Sequence, residues 1–314
     1  MVGVVGQFIF KNPSALFQTI AYVPETHMLK PFKDRVKATY DLMLSMVNTG
    51  SEHATAIKAA RAADKKALLT QKEFPLEWKV DTTRFDSITF KGYEAGYKPS
   101  EVSGLPRLYY DRKKPYTRKV RFYNQYVPTK VVTAPKAYII PKAWTPLIVN
   151  MRANGVRMQR ISYDSTMMLT VYHIDNYETV QRPYEKHYLH KNIQVTAKKE
   201  PILVTQGDYI LWTNQPAKRY LVETLEPTCA DGFFAWNFFD GILQQKEYFS
   251  DYVFEDIAAA ILKKDTALKA RLEEKRRNDP EFAASASAQL DFVYRNSEWM
   301  EAEFMRYPVF RLEE

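Results

Sequence analysis

The sequence predicts an α+β fold, with helices toward both ends and a β-rich middle, on three observations. Val36, Tyr40, Met43, Leu44 and Val47 recur at spacings of four, seven, eight and eleven, which puts them on one helical face. From Pro75 to about residue 213, short apolar runs alternate with turn residues, and Tyr and Phe are frequent, at 21 and 18 of 314 residues, a composition that favours strands. Val253, Ile257 and Ile261 then recur every four residues, so the last third turns helical.

The opening run, Met1 to Phe10, is apolar but lacks a basic start and a small-residue cleavage site, so it reads as a strand and not as a signal peptide. Phe17 to Val23 is a second strand candidate, running into Glu25 and a turn bracketed by Pro24 and Pro31. The helix bearing Val36 is expected to stop at Asn48-Thr49-Gly50, because Asn and Gly tolerate the left-handed conformation past a helix end. Ser51 can then cap a weakly amphipathic helix from about Glu52 to Lys72. The middle strands include Trp78 and Val80, Phe85 to Phe90, Val120 to Val132, and Met167 to Ile174, whose alternation sets Leu169 and Val171 opposite Met168 and Thr170. A helix from Ala143 to Ala153 interrupts them, ended by Asn154-Gly155, and two more strands flank Gln206-Gly207-Asp208. Short strands with frequent turn signals suggest a sandwich-like or mixed β domain. Asp265 and Asp279-Pro280 are helix starts, with Asp as N-cap and Pro in the first turn. These shifts divide the chain into 1–50, a linker helix 51–74, a β-rich domain 75–215, and a mostly helical region 216–314 packing on it.

The net charge of +8 is spread along the chain, so no nucleic-acid partner is expected. No apolar run reaches the roughly 20 residues that span a bilayer, so no transmembrane segment is expected. One cysteine, Cys229, excludes an intrachain disulfide framework and a cysteine-based zinc site. With 10 glycines and no phosphate-cradling loop or Gly-x-Ser-x-Gly elbow, nucleotide binding and serine hydrolysis are not indicated.

Three constellations could carry chemistry. Glu25 ends a candidate strand, the position where open α/β enzymes keep catalytic groups; a solvated or capping glutamate fits the same place. His27 and Lys30 are beside it and either line the same cleft or face solvent. The second is Glu185-Lys186-His187-Tyr188-Leu189-His190. On a helix His187 and His190 would share a face and offer two metal ligands; on a strand or loop, which Arg182-Pro183 favours, they would not. The third is the cluster Phe233, Phe234, Trp236, Phe238 and Phe239, with Asn237 and Asp240 among the rings, either core or a platform for peptide or glycan. Asn214-Gln215-Pro216 and the carboxylates Glu223 and Glu226 are candidates to frame that surface.

The run PETHMLKPFKDRVKATYDLM at 24–43 resembles the end of the catalytic domain in bacterial members of the zinc carboxypeptidase family, the carboxypeptidase A-like metallopeptidases. PKAYIIPKAW, NGVRMQR, RPYEKHYLH, GDYILWTNQPAKRYLVETLEP, FFAWNFFDGILQQKEYFSDYVFED and QLDFVYRNS resemble the C-terminal extension of those proteins. The resemblance implies that residues 1–50 are the C-terminal end of a catalytic domain, a remnant of its α/β sheet with a helix. It implies that Glu25 is the general base, acting on a peptide substrate beside a zinc ion that activates water. It further implies a periplasmic or secreted location. The family's His-x-x-Glu ligand motif is absent: none of the five histidines has Glu three residues later. The family's ligands lie upstream of the glutamate strand, so no zinc is expected on this chain alone, and the missing N-terminal catalytic half is an expected partner.

Overall fold

The computed structural model describes residues 16–313; the strand expected from Met1 to Phe10 lies outside them. Helices and antiparallel strands both contribute, as an α+β fold requires. The described chain divides into two compact units, residues 73–133 and residues 16–72 with 134–313. These boundaries differ from those drawn on composition, because the strands of the middle belong to separate packing groups.

In the second unit, residues 19–27 form no strand, although Phe17 to Val23 is apolar enough for one. A strand needs a ladder partner for its N–H and C=O groups, and among the described residues none pairs with it; Ile20, Tyr22 and Val23 are exposed. Phe17 stacks instead on Tyr220, with ring centroids 5.6 Å apart. Arg61 holds the neighbouring backbone by donating to the Gln18 carbonyl at 2.7 Å.

Helix α1 (Phe32–Glu52) and helix α2 (Ala54–Thr70) follow. α1 runs through Asn48-Thr49-Gly50 instead of stopping there. A glycine inside a helix costs only about 1 kcal/mol, and the backbone ladder continues, His53 N–H reaching the Thr49 carbonyl and Ile57 N–H the His53 carbonyl, each at 3.0 Å. None of the residues of α1 is buried.

The first unit holds two antiparallel ribbons. β1 (Glu73–Val80) pairs with β4 (Tyr126–Thr133), and β2 (Asp86–Pro99) pairs with β3 (Pro106–Phe122). Gly92 and Gly96 face Tyr116 and Tyr109 across the second ribbon. A Cβ on either glycine would stand 2.7 or 2.9 Å from a ring atom, so the missing side chains make room for the rings. Asp81 organises the turn after β1. The Thr83 hydroxyl, helped by Arg84 and the Thr83 amide, holds its carboxyl down to about 2.

The second unit is built on one six-stranded sheet, not a sandwich. Its members are β5 (Ala137–Ile140), β6 (Gln159–Arg160), β7 (Ser165–Thr179), β8 (His190–Val204), β9 (Tyr209–Trp212) and β10 (Phe310–Leu312), in the order β6-β9-β5-β10-β7-β8. β10 closes the sheet by pairing with both β5 and β7. The alternation along β7 holds: Leu169 and Val171 are buried with Ile139, Ile202, Val204 and Phe310, while Met168 faces out. Helix α3 (Thr145–Ala153) ends where Gly155 takes φ +72°, and helix α4 (Lys218–Leu225) follows the sheet.

The C-terminal helices are α5 (Asp251–Lys264), α6 (Thr266–Asn278), α7 (Pro280–Ala283) and α8 (Ala286–Arg295). Asp265 caps α6 by accepting from Leu268 N–H at 2.8 Å, and Asp279 caps α7 by accepting from Phe282 N–H at 3.0 Å. They build a core of their own from Phe254, Leu268, Leu272, Phe282, Val293 and Tyr294. Among the described residues, no helix is long and apolar enough to cross a membrane.

Candidate functional site

Glu25, His27 and Lys30 occupy an exposed turn. Its backbone is closed by Lys30 N–H on the His27 carbonyl at 3.0 Å, and the His27 ring nitrogen Nδ1 accepts from Leu29 N–H at 3.2 Å. The groove of about 450 Å³ on α1 is bordered by Phe32, Lys33, Val36, Lys37 and Tyr40 and includes none of the three. No sheet remnant supports Glu25 among the described residues, because the segment before it has no strand to pair with.

The other two constellations meet in space. β7 and β8 form a long hairpin, register-paired from Ser165↔Val204 to Thr179↔His190. Beyond it the chain turns at Tyr184-Glu185-Lys186-His187, with Tyr184 and His187 exchanging two backbone hydrogen bonds of 2.9 Å. Glu185 and Lys186 take φ +49° and +70°, the left-handed pair that this two-residue turn demands. Side chains other than Gly, Asn and Asp resist that conformation. Lys186→Gly is therefore expected to stabilise the protein by about 0.5–1 kcal/mol, read as a higher urea midpoint.

Against this hairpin packs the segment from Phe233 to Asp240. His190 N–H donates to the Ala235 carbonyl at 3.0 Å, and Asn237, itself at φ +66°, donates from Nδ2 to the Tyr188 carbonyl at 2.9 Å. His190 is buried between Tyr177 and Phe234, at centroid distances of 4.9 and 5.2 Å. Its Nε2 is 3.0 Å from an Asp240 carboxylate oxygen and its Nδ1 is 3.0 Å from the Thr179 hydroxyl. Nε2 also lies 3.2 Å from Asn237 Nδ2; when Nε2–H donates to the aspartate, the neutral ring has Nδ1 free to accept from the Thr179 hydroxyl. His187 meets Trp236 edge to face at 5.4 Å, and Tyr184 lies 6.2 Å from the same ring. Phe238 packs on Phe233 at 4.7 Å.

The order hydroxyl, imidazole, carboxylate resembles a hydrolytic triad in connectivity. However, the cavities of about 340 and 450 Å³ elsewhere in this unit include none of Thr179, His190 and Asp240. The arrangement instead clamps the 233–240 segment onto the hairpin and leaves a surface of Tyr184, Tyr188, His187 and Trp236. It is also unsuited to a metal. Both ring nitrogens of His190 are committed, His187 faces Trp236, and among the described residues no group of three or more His, Cys, Asp or Glu is placed to hold an ion. The donor set does not fit the zinc that the carboxypeptidase resemblance implies.

Glu223 and Glu226 do not frame that surface. Glu226 turns into the core, where it accepts from Tyr138 Oη at 2.6 Å and from Arg311 Nη1 at 2.8 Å, and Arg311 also donates to Tyr172 Oη at 2.7 Å. Burial pushes the Glu226 carboxyl up, opposed by Arg311 and the two tyrosine hydroxyls. Burial alone would lower the Arg311 guanidinium, but Glu226, with smaller contributions from Tyr172, Tyr138 and Glu313, outweighs it and keeps the cation charged. Glu223 stays on α4, 3.1 Å from Arg219 Nε, and burial raises its carboxyl to about 7 against the pull of Arg219. Burial pushes the Cys229 thiol up to about 12, which leaves it un-ionised at neutral pH.

Sequence reasoning found His190, Asn237 and Asp240 separately but not their meeting, and it missed Thr179, Tyr138 and Arg311. The register of a long hairpin is the only signal that could have paired Thr179 with His190. No family model, no curated protein and no solved structure matches the chain.

Proposed function

We propose that the chain is the C-terminal part of a zinc metallocarboxypeptidase-like protein, inactive by itself. Residues 1–50 would complete a catalytic α/β layer supplied by another polypeptide segment, and the remainder would be its non-catalytic extension. The observation that carries this reading is α1. It is a 21-residue helix with Val36, Tyr40, Met43, Leu44 and Val47 on one stripe, yet it buries no residue. An amphipathic helix ordinarily covers its stripe against a sheet or another helix. A bare stripe beside an apolar segment that no described residue pairs with and an exposed Glu25 is the state expected of a final strand and helix lifted off their sheet. In the completed layer Glu25 would supply the proton-accepting carboxylate for hydrolysis of a C-terminal peptide bond, and His27 and Lys30 would border the same cleft. The resemblance also supports a peptide substrate and a periplasmic or secreted location.

A second reading, a binding module for peptide or glycan, is favoured by the surface of Tyr184, Tyr188, His187 and Trp236, since aromatic faces beside polar groups orient such ligands.

The test has two parts. The purified chain is expected to bind no stoichiometric zinc and to release no C-terminal residue from a blocked dipeptide. The genomic sequence upstream of codon 1 is expected to encode, in frame, His-x-x-Glu followed by a later His. Zinc-dependent turnover by the chain alone, or an upstream frame without those ligands, overturns the proposal.

A further inference from the structure

The ribbon of β2 and β3 ends in a turn whose character differs from the rest of the first unit. Between Pro99 and Pro106 the chain reads Ser100-Glu101-Val102-Ser103-Gly104-Leu105. Val102 is 98% exposed and Leu105 67% exposed, so the apex of the ribbon is aliphatic and bare. The amides of this turn from Val102 to Leu105 are bonded within it. Ser100 Oγ accepts from Val102 and Ser103 N–H at 3.2 Å each, Ser103 Oγ accepts from Leu105 N–H at 3.3 Å, and the Ser100 carbonyl accepts from Gly104 N–H at 2.9 Å. An apex whose Val102, Ser103, Gly104 and Leu105 amides are satisfied internally loses little hydrogen bonding when its aliphatic side chains leave water.

Register then assigns the side chains behind the apex to two faces. Tyr97 is opposite Leu108 and Ala95 opposite Tyr110, on one face. Lys98 is opposite Arg107 and Gly96 opposite Tyr109, on the other, with the Lys98 ammonium 5.6 Å from the Tyr109 ring centroid. Tyr97, Leu108 and Tyr110 are exposed, so the apolar face is uncovered. Lys98 and Arg107 are like charges placed directly across a ribbon, which is unfavourable by itself, and among the described residues neither has a carboxylate within ion-pair distance. Over residues 97–114 there are five cations and two acids, Glu101 and Asp111, with Arg112, Lys113 and Lys114 following in a bulge.

We propose that this end of the ribbon, Tyr97 to Tyr110, seats on an anionic lipid bilayer surface. Val102 and Leu105 enter the boundary between headgroups and acyl chains. Tyr97 and Tyr110 lie at headgroup depth, where amphipathic rings are favoured. Lys98 and Arg107 reach to the lipid phosphates, which relieve their mutual repulsion. The aliphatic apex and the placing of the exposed rings decide against a single-stranded nucleic acid. A strand binder stacks bases on open rings beside its cations; the ring beside Lys98 and Arg107 is Tyr109, which is half-buried with the Lys98 ammonium 5.6 Å from its centroid, while the exposed Tyr97 and Tyr110 are on the opposite face. An aliphatic apex also offers no base a stacking partner. This inference does not rest on the peptidase reading.

The test is co-sedimentation of the full chain with vesicles of phosphatidylcholine alone or mixed with phosphatidylglycerol. The chain is expected to partition onto the mixed vesicles about tenfold more strongly than onto the neutral ones, and salt is expected to weaken that preference. Val102→Ser with Leu105→Ser is expected to lose about tenfold on mixed vesicles. Lys98→Gln with Arg107→Gln is expected to remove most of the preference for anionic lipid. These side chains are exposed, so both variants are expected to keep the wild-type circular dichroism and melting curve. Absence of binding by the wild-type chain overturns the proposal, as does full binding by the Val102/Leu105 variant. Anisotropy showing that a single-stranded oligonucleotide binds more tightly than the mixed vesicles, with loss in the Lys98/Arg107 variant, also overturns it in favour of nucleic acid.

Discussion

Arg311→Met is expected to destabilise the protein by about 3–5 kcal/mol. The reason is Glu226. Its side chain is 2% exposed and that of Arg311 6%, and they are 2.8 Å apart at the centre of the six-stranded sheet. With the guanidinium gone, a buried carboxylate keeps only the Tyr138 hydroxyl and whatever Tyr172 can offer. Methionine matches the length of the arginine stem, so little of the loss arises from packing. The charge origin of the effect fixes its pH dependence. Burial already holds the folded-state affinity of Glu226 for its proton above that of the unfolded chain, and removing Arg311, which opposes the rise, lifts it further. A carboxyl so raised is harmless below its unfolded value and increasingly costly as the pH climbs past it. The deficit of Arg311→Met is therefore expected to be small near pH 4.5, and to grow through neutrality. Urea denaturation of the wild type and of Arg311→Met across that range measures it. The double variant Arg311→Met with Glu226→Gln is expected to recover most of the loss at pH 8, because no deeply buried charge is stranded; Glu313, which also accepts from Arg311 Nε at 2.9 Å, is one-third exposed and stays hydrated. An equal deficit at both ends of the range, or a double variant as unstable as the single, would show that Arg311 acts by packing alone.

The same pair shows what a sequence withholds. Asp265 and Asp279 are legible as helix caps because the N–H groups they serve are three residues away, and the alternation of β7 is legible because a sheet face repeats every two residues. Tyr138, Glu226 and Arg311 are brought together across 85 or more positions, with no local periodicity to announce it, and Glu226 read as a surface carboxylate. The strand expected from Phe17 to Val23 fails for the opposite reason. Its apolar pattern is local and correct, but strand structure also needs a neighbour, and nothing in the described residues pairs with it. The candidate site divides along the same line. His190 and Asp240 stood out as residue types, whereas Thr179 and the clamp they form with it depend on hairpin register. Asn214 and Gln215 stood out too, and Gln215 turns out to brace the backbone at Arg157 and Trp212.

Glu223→Gln is expected to stabilise the protein at pH 8 by up to about 3 kcal/mol and to leave it unchanged at pH 4. Burial on α4 leaves the Glu223 side chain 17% exposed and raises its carboxyl from an ordinary 4.5 to about 7. At about 1.4 kcal/mol for each pH unit of displacement, ionised Glu223 costs the folded state about 3 kcal/mol. The sign follows from the direction. Below pH 4.5 the carboxyl is protonated in both folded and unfolded chains, and no cost is incurred. Between 4.5 and 7 the unfolded chain ionises first, so stability drains away as the pH rises, and above 7 the full cost remains. Glutamine keeps the size of the side chain and removes the charge, which is expected to flatten this limb of the stability profile. Denaturation midpoints of wild type and variant at pH 4, 6 and 8 test the point. Arg219 is the rival influence: it lies 3.1 Å away and works to keep Glu223 ionised. If the ion pair rather than the burial governed the site, Glu223→Gln would instead destabilise at pH 8, since the Arg219 cation would be left facing a neutral amide. Arg219→Met separates the two cases. Where burial dominates, losing Arg219 pushes the Glu223 transition above pH 7 and deepens the loss at pH 8, and Glu223→Gln added to Arg219→Met restores it.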